Sequence, residues 1–410
     1  MPDADKVAAV REALPATRAG IYLNAGSCGP LPAETARAMD AAAARELAVG
    51  RAGPGDWEDA LARMDEARFA VAAALVADPA DIALTHSTTD GLNLALSSLP
   101  WQSGDRVLTT AHEHPAAYAP LAALRARLGV EIEVVDTGDG GDPDAVVAAF
   151  AQALERPARA IVASHVLWTT GAVLPVGRLG AVARAAGAVS IIDGAQAAGA
   201  IALVLDDTGV DAYALPAQKW LLGPEGMGAL WVRRAFADAT VPATSGGSSY
   251  PSFSLASPIL HAGARRFEAT GFHRPSVVGF ARSLGWLSMY VGLPWTQTRA
   301  NGLAVGLADR LAAIAGVTVL TPRPAPATLV SFRLGGWTAA QVLAELGPRT
   351  FAVARAIPPL DAVRLSVGFW NTEAELARVV SAVEDLARYT PASIPARRLA
   401  VLDGDGRPLG

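Results

Sequence analysis

The feature that most constrains this chain is an alternation: short runs rich in β-branched residues recur between alanine-rich stretches with helical spacing. The runs are IALT at 82, RVLTT at 106, EIEVVD at 131, RAIVASHV at 159, VSIID at 189, AYAL at 212 and GALWVR at 228. Parallel strands cannot be joined by tight turns and need crossover connections. Strands that alternate with amphipathic helices therefore predict a mostly parallel, seven-stranded sheet covered on both faces. The expected fold class is α/β.

At 410 residues the chain exceeds what one hydrophobic core usually supports, so a smaller second unit is expected. From about Pro275 to Ile314 the pattern turns helical, broken near Gly292 and Pro294. VTVL, TLVSFRL, FAVARAI and VRLSVGF then precede a last helix at 372–388, a clustering that predicts a small α+β domain. The expected division is an N-terminal arm lining the entrance (1–30), a large domain (31–270), a small domain packed by a long linking helix (271–395) and a tail (396–410). The tail has little to bury and is expected on the surface.

A net charge of -5 gives no general attraction to nucleic acid or anionic lipid. No run approaches the roughly 18 to 20 apolar residues needed to span a bilayer, and the acidic N-terminus does not read as a secretory signal. The single cysteine, Cys28, excludes an intramolecular disulfide and a cysteine-rich metal cluster, and no metal site is expected. These features predict a soluble, cytoplasmic protein that acts on a small molecule.

In open α/β sheets, ligands gather beyond the carboxyl ends of the strands. The strings found there are polar: HSTTDGLN (86–93), AHEHP (111–115), SHVLWTTG (164–171), IDGAQ with Asp193, and PAQKW with Lys219. HSTTDGLN offers hydroxyls and backbone N–H groups at a helix start, which suits a phosphate; an ordinary N-cap is the other reading. With neither a Walker loop nor G-x-G-x-x-G after the first strand, a monophosphate is favoured over a nucleotide. Asp193 closes an apolar strand, where a carboxylate is costly to bury unless a cation meets it. A protonated pyridine nitrogen is such a cation, and a capping aspartate is the alternative. Lys219 follows another apolar strand and precedes a glycine-rich turn, so desolvation would lower its pKa and make it a nucleophile and base. A solvated lysine is the bland alternative. What favours the chemical reading is the order of phosphate turn, aspartate and lysine at successive strand ends.

Together HSTTDGLN, EHP, SHVLWTTG, IDGAQ, AQKWLLGPEGMG, RRFEATG and VRLSVGFWNTEAEL resemble the aminotransferase class V family of fold type I pyridoxal-phosphate enzymes, from about Tyr22 to Leu386. The resemblance implies pyridoxal 5′-phosphate, carried by Lys219 as a Schiff base. Thr88 and Thr89 would bind its phosphate, with Gln196 beside it, His114 stacked on the ring and Asp193 on the pyridine nitrogen. His165 would approach the phenolic oxygen, at a position where desulfurase relatives usually carry Asn. Thr270 would reach the partner's phosphate in a homodimer with shared sites. Arg364 would grip the substrate's α-carboxylate with its planar fork. Arg355 is a candidate for a second carboxylate contact, and Asn24 in YLNAGSCGPLP is a further candidate on the substrate side.

Desulfurases in this family need a mobile small-domain cysteine to accept sulfur, and no cysteine follows Cys28. Cys28 itself is given no catalytic role. DGLNLAL, LPWQSGD, EHP and SHVLWTTGAVLPV resemble the L-cysteine/cystine C–S lyases and, less closely, ergothioneine-pathway C–S lyases. The implied reaction is β-elimination from a sulfur amino acid to pyruvate, ammonia and a thiol or persulfide. Lys219 would be the Cα base, with His114 as a proton donor to the leaving sulfur. An amino-acid epimerase or racemase of the isopenicillin N epimerase type stays open as an alternative, as does a non-catalytic cofactor-binding scaffold.

Overall fold

The computed structural model describes residues 3–323 and 327–395, with the backbone of two short paired strands at 401–402 and 408–409. The tail expected at 396–410 otherwise lies outside the described residues.

After a two-residue strand β1 (Ile21–Tyr22), the seven runs form β2 (Ile82–Thr85), β3 (Arg106–Thr110), β4 (Glu131–Val135), β5 (Ala160–Ser164), β6 (Val189–Asp193), β7 (Ala212–Pro216) and β8 (Gly228–Val232). They make one sheet in the order β2-β8-β7-β6-β5-β3-β4, in which only β8 runs against its neighbours. Alternate residues of one strand serve opposite faces. Val162 and Ile191 enter one core with Leu92 and Leu121, while Ile161 and Ile192 enter the other with Val71 and Phe150. That double burial is why most of these strands read as continuous apolar runs. Only β4, at the sheet edge, carries exposed positions, including Glu131.

The first core is covered by α4 (Thr88–Ser97), α5 (Pro115–Leu128) and α8 (Arg234–Ala239). On the other face lie α3 (Asp56–Leu75), α6 (Pro143–Ala153) and α7 (Val176–Ala185). α4 comes unusually close to the sheet: a Cβ on Gly91 would stand 2.9 Å from Ala214 Cβ. That approach sets the start of α4 level with the strand ends.

The second unit is an antiparallel sheet in the order β12-β13-β10-β9, from β9 (Val317–Val319), β10 (Leu329–Leu334), β12 (Arg355–Ile357) and β13 (Ala362–Ser366). Its core, which includes Leu307, Phe332, Leu346 and Leu376, is closed by α10 (Leu293–Ala312), α11 (Ala339–Thr350) and α12 (Glu373–Ala387). Capping boxes, Thr338 with Gln341 and Thr372 with Glu375, start α11 and α12.

Two segments pack differently from the expected division. α9 (Arg274–Gly285), assigned to the small domain, lies on α2 (Ala33–Val49) and α3 and sends Val277, Phe280 and Leu284 into the large-sheet core. The N-terminal arm is shared. Val10 of α1 (Asp3–Ala13) and the following Leu14 enter the large core, whereas β1 pairs in parallel with β11 (Ala352–Val353) and Ile21 and Leu23 join the small one. An apolar pattern shows that a segment is buried but not against which neighbour. Among the described residues, no helix is long and apolar enough to cross a membrane.

Candidate active site

The carboxyl ends of β2, β3, β5, β6 and β7 converge with β12 and β13 on one cavity of about 220 Å³. Eight of the residues expected there line it: Thr88, Thr89, His114, Asp193, Gln196, Lys219, Arg355 and Arg364.

The start of α4 presents unpaired donors to the cavity. Ser87 caps the helix by accepting the Asp90 amide at 3.1 Å, which leaves the amides of Thr88 and Thr89 without intrahelical partners. The buried Thr88 Oγ1 has no hydrogen-bond partner either. Across the cavity, Asp193 ends β6 buried, with Oδ1 accepting the Ala195 amide at 2.8 Å. Burial pushes its carboxyl up, and the Lys219 ammonium works against that rise.

Lys219 stands three residues beyond β7, in a turn closed by the Gly223 amide donating to Ala217 O at 2.8 Å and by Leu222 at φ 54°. Burial is the main cause that lowers its pKa, to about 8; Arg364 and Arg355 act in the same direction, and Asp193 opposes them. Lys219 is half-buried and lines the cavity.

Arg364 is buried in β13 and donates from Nη1 to Trp168 O at 3.0 Å, while Nε and Nη2 have no partner. Burial, and then Arg355, lower its pKa to about 9, which leaves it charged at neutral pH. Gln196 is committed at both ends, donating to Gly26 O at 2.8 Å and accepting from Trp220 Nε1 at 3.0 Å.

His114 stands at the start of α5. It caps α5 by accepting the Ala116 amide on Nδ1 at 3.1 Å, and its ring meets Trp168 edge-on at 5.0 Å. Burial and the three cations Lys219, Arg355 and Arg364 push its pKa down to about 4. At neutral pH it is a neutral imidazole with its proton on Nε2. Burial and these cations disfavour the imidazolium form expected from the sequence as donor to a leaving sulfur.

Three expected residues lie off the cavity. His165 continues the alternation of β5 past its end, on the face of Ile161 and Ala163, and its Nδ1 lies 2.8 Å from the Tyr213 hydroxyl. The residue of that segment at the cavity wall is Trp168. Asn24 meets the site through Ser27, whose hydroxyl donates to Asn24 Oδ1 at 2.9 Å. Thr270 is exposed on the surface of this chain.

Sequence reasoning also missed contributors. Ser87 and Gln218 line the cavity inside strings that had been singled out, and Gln218 Oε1 is buried without a partner. Behind His114, Glu113 bridges two strand ends, accepting from Thr110 Oγ1 at 2.7 Å, Ser164 N at 3.0 Å and Ser164 Oγ at 2.5 Å. Burial pushes it up to about 7.

Residues 21–379 match the family described as aminotransferase class-V. The chain belongs to that family. It is similar to a probable cysteine desulfurase of Methanothermobacter thermautotrophicus, 26% identical over 92% of this chain and 97% of the relative. It is also similar to the isopenicillin N epimerase of Amycolatopsis lactamdurans, 30% identical over 89% of this chain and 95% of the relative. Among solved structures, it is similar to a cystine C–S lyase in complex with its reaction product cysteine persulfide. The TM-score is 0.84 at 25% identity, over 91% of this chain and 99% of that one.

This class V enzyme uses pyridoxal 5′-phosphate, and the residues present fit it. The unpartnered Thr88 hydroxyl and the free amides of α4 suit the phosphate. Asp193 at the end of β6 suits a protonated ring nitrogen, and the Lys219 amine suits the aldehyde carbon.

Proposed function

We propose that this chain is a pyridoxal-phosphate-dependent carbon–sulfur lyase, catalysing β-elimination on cystine, cysteine or a related sulfur amino acid. The observation that carries the reading is the cavity's charge pattern, in which Lys219, Arg364 and Arg355 converge with Asp193 as the facing carboxylate. Such a field receives a phosphate and the carboxylates of an amino acid.

Bound pyridoxal phosphate supplies an electron sink for the pair left when a bond at Cα breaks. The protein's residues do the rest. Thr88, Thr89 and the start of α4 hold the phosphate, and Asp193 holds the ring nitrogen protonated. Arg364 takes the α-carboxylate on its unpartnered Nε and Nη2 edge. Lys219, with its pKa near 8, removes the Cα proton at near-neutral pH. The Cα–H electron pair becomes the Cα=Cβ bond as the Cβ–S bond breaks and sulfur leaves with its electrons. The ammonium form of Lys219 is then an acid at the leaving sulfur, and His114, at the same cavity, is the second candidate. Hydrolysis of the enamine product gives pyruvate and ammonia, with cysteine persulfide as the third product when cystine is the substrate. Arg355 faces the distal carboxylate.

The chain's single cysteine supports elimination over sulfur transfer to a protein thiol. Cys28 lies in the N-terminal turn, half-buried, and burial and Glu225 push its thiol up, away from the thiolate that accepts sulfur. A homodimer belongs to the same reading, supported by exposed Phe253, Leu255 and Ile259 in the segment leading to Thr270.

Epimerisation is kept as a second reading because one of the similar relatives is an isopenicillin N epimerase. Incubating the holoenzyme with cystine, cysteine, cysteine sulfoxides and bulky thioethers separates the two. Pyruvate release supports elimination. No pyruvate, together with solvent deuterium appearing at Cα, replaces it with epimerisation, and no reaction at all leaves a cofactor-binding scaffold.

A further inference from the structure

The two arginines of the cavity are seated by one short turn. Arg355 and Arg364 are direct partners across the antiparallel pair β12 and β13, and neither forms an ion pair among the described residues. Gly26 covers Arg364: a Cβ there would stand 2.7 Å from Nη2 and 2.8 Å from Ser366 Oγ. The next residue holds Arg355, whose Nη1 donates to Ser27 Oγ at 2.9 Å. The Ser27 hydroxyl has one proton, and it goes to Asn24 Oδ1 at 2.9 Å, so the oxygen is turned to accept from the guanidinium. Asn24 is itself fixed by a bridge to Ser366, two residues beyond Arg364, and its carbonyl accepts the amides of Ser27 and Cys28.

An exposed arginine has many rotamers and loses much entropy when it docks an anion, so fixing it beforehand raises affinity. The nature of the fixing group matters. A carboxylate would hold Arg355 equally well but would cancel its charge. A hydroxyl positions the guanidinium and leaves its full charge, and its remaining N–H groups, for a ligand.

We propose that Ser27 is a specificity-determining positioning residue: oriented by Asn24, it presets Arg355 to receive a second carboxylate, selecting amino acids whose leaving group is itself carboxylated. The selection rests on the C–S lyase reading for its reaction, but the anion recognition is measurable without turnover.

The test titrates the holoenzyme with succinate, glutarate, adipate and the matching monocarboxylates, following cofactor absorbance. The wild type binds the best-fitting dicarboxylate more tightly than its monocarboxylate partner. Ser27→Ala lowers that preference about tenfold, the scale of losing one charge-assisted hydrogen bond, and Ser27→Thr, which keeps the hydroxyl, restores it. In an Arg355→Ala background, Ser27→Ala has no further effect on the preference. A wild type without dicarboxylate preference, an unchanged ratio in Ser27→Ala, or a Ser27→Ala effect that persists without Arg355 overturns the proposal. Where cystine turns over, Ser27→Ala also lowers kcat/KM for cystine relative to β-chloroalanine, chiefly through KM. Absence of pyruvate from the wild type removes the lyase reading and leaves the titration to decide the role of Ser27.

Discussion

Lys219 sits where burial and two arginines act on one ammonium, which lowers its pKa to about 8 from the usual 10.5. At pH 7.5 about a quarter of such amines are unprotonated, against roughly one in a thousand for a solvated lysine. Only the unprotonated amine attacks an aldehyde. Reconstitution of the apo-protein with pyridoxal phosphate is therefore expected to accelerate as pH rises from about 6.5 and to level off above about 8.5; a rate flat with pH would contradict the lowered pKa of the lysine. Lys219→Ala should lose the borohydride-fixed cofactor and at least 10²–10⁴ of turnover, roughly the range of a lost general base. Lys219 and Asp193 were legible in the sequence because each sits at or just past the end of an apolar strand, where a charge needs a reason; Arg364 was legible only through the family resemblance. His165 and Trp168 were not. Which of two residues three apart faces a cavity depends on whether strand alternation persists past the last ladder bond, and here it carries His165 onto Tyr213.

At the scale of elements, the seven β-branched runs became the seven strands of the sheet, because strands buried on both faces need apolar side chains at nearly every position. The break near Gly292 was equally legible, since φ 86° there is open to glycine at little cost. The partner of α9 and the sharing of the N-terminal arm were not, since both are choices between two apolar surfaces. α4 shows how an element becomes a site. Gly91 lets it down onto β7, the Ser87 hydroxyl caps the Asp90 amide, and Thr88 Oγ1 is left buried and unpartnered at the helix start. Thr88→Val keeps the shape and removes the hydroxyl. The dissociation constant for pyridoxal phosphate, measured by dialysis and absorbance, should rise about tenfold, the worth of one hydrogen bond to a charged group. Thermal stability of the apo-protein should fall little, because the lost hydroxyl bonds nothing in the protein itself. A variant that binds cofactor like the wild type would show that the Thr88 hydroxyl is not needed to hold the phosphate.

For the whole molecule, the buried groups beneath the cavity set a pH dependence of stability with two opposing arms. His165 is held neutral by burial, its pKa lowered from 6.5 to about 4. Its unfolded form takes up a proton that the folded form refuses, so its contribution is full above pH 6.5 and is lost as pH falls towards about 4. Glu113 is pushed the other way, from 4.5 to about 7, so its folded form keeps a proton that the unfolded form has shed. Its contribution is full below pH 4.5 and is lost as pH rises through about 7. Between pH 7.5 and 5 each arm amounts to roughly 2 kcal/mol by linkage, with opposite signs. Two variants separate them in denaturant or thermal unfolding of the apo-protein. The stability gap between wild type and His165→Asn should narrow on acidification from pH 7.5 to 5, because the wild type is losing what the variant never had. The gap between wild type and Glu113→Gln should widen over the same interval, because the wild type is gaining a proton-linked term the glutamine lacks. Gaps that stay constant with pH would mean that these two groups titrate in the folded protein as they do in water, against the burial that sets both shifts.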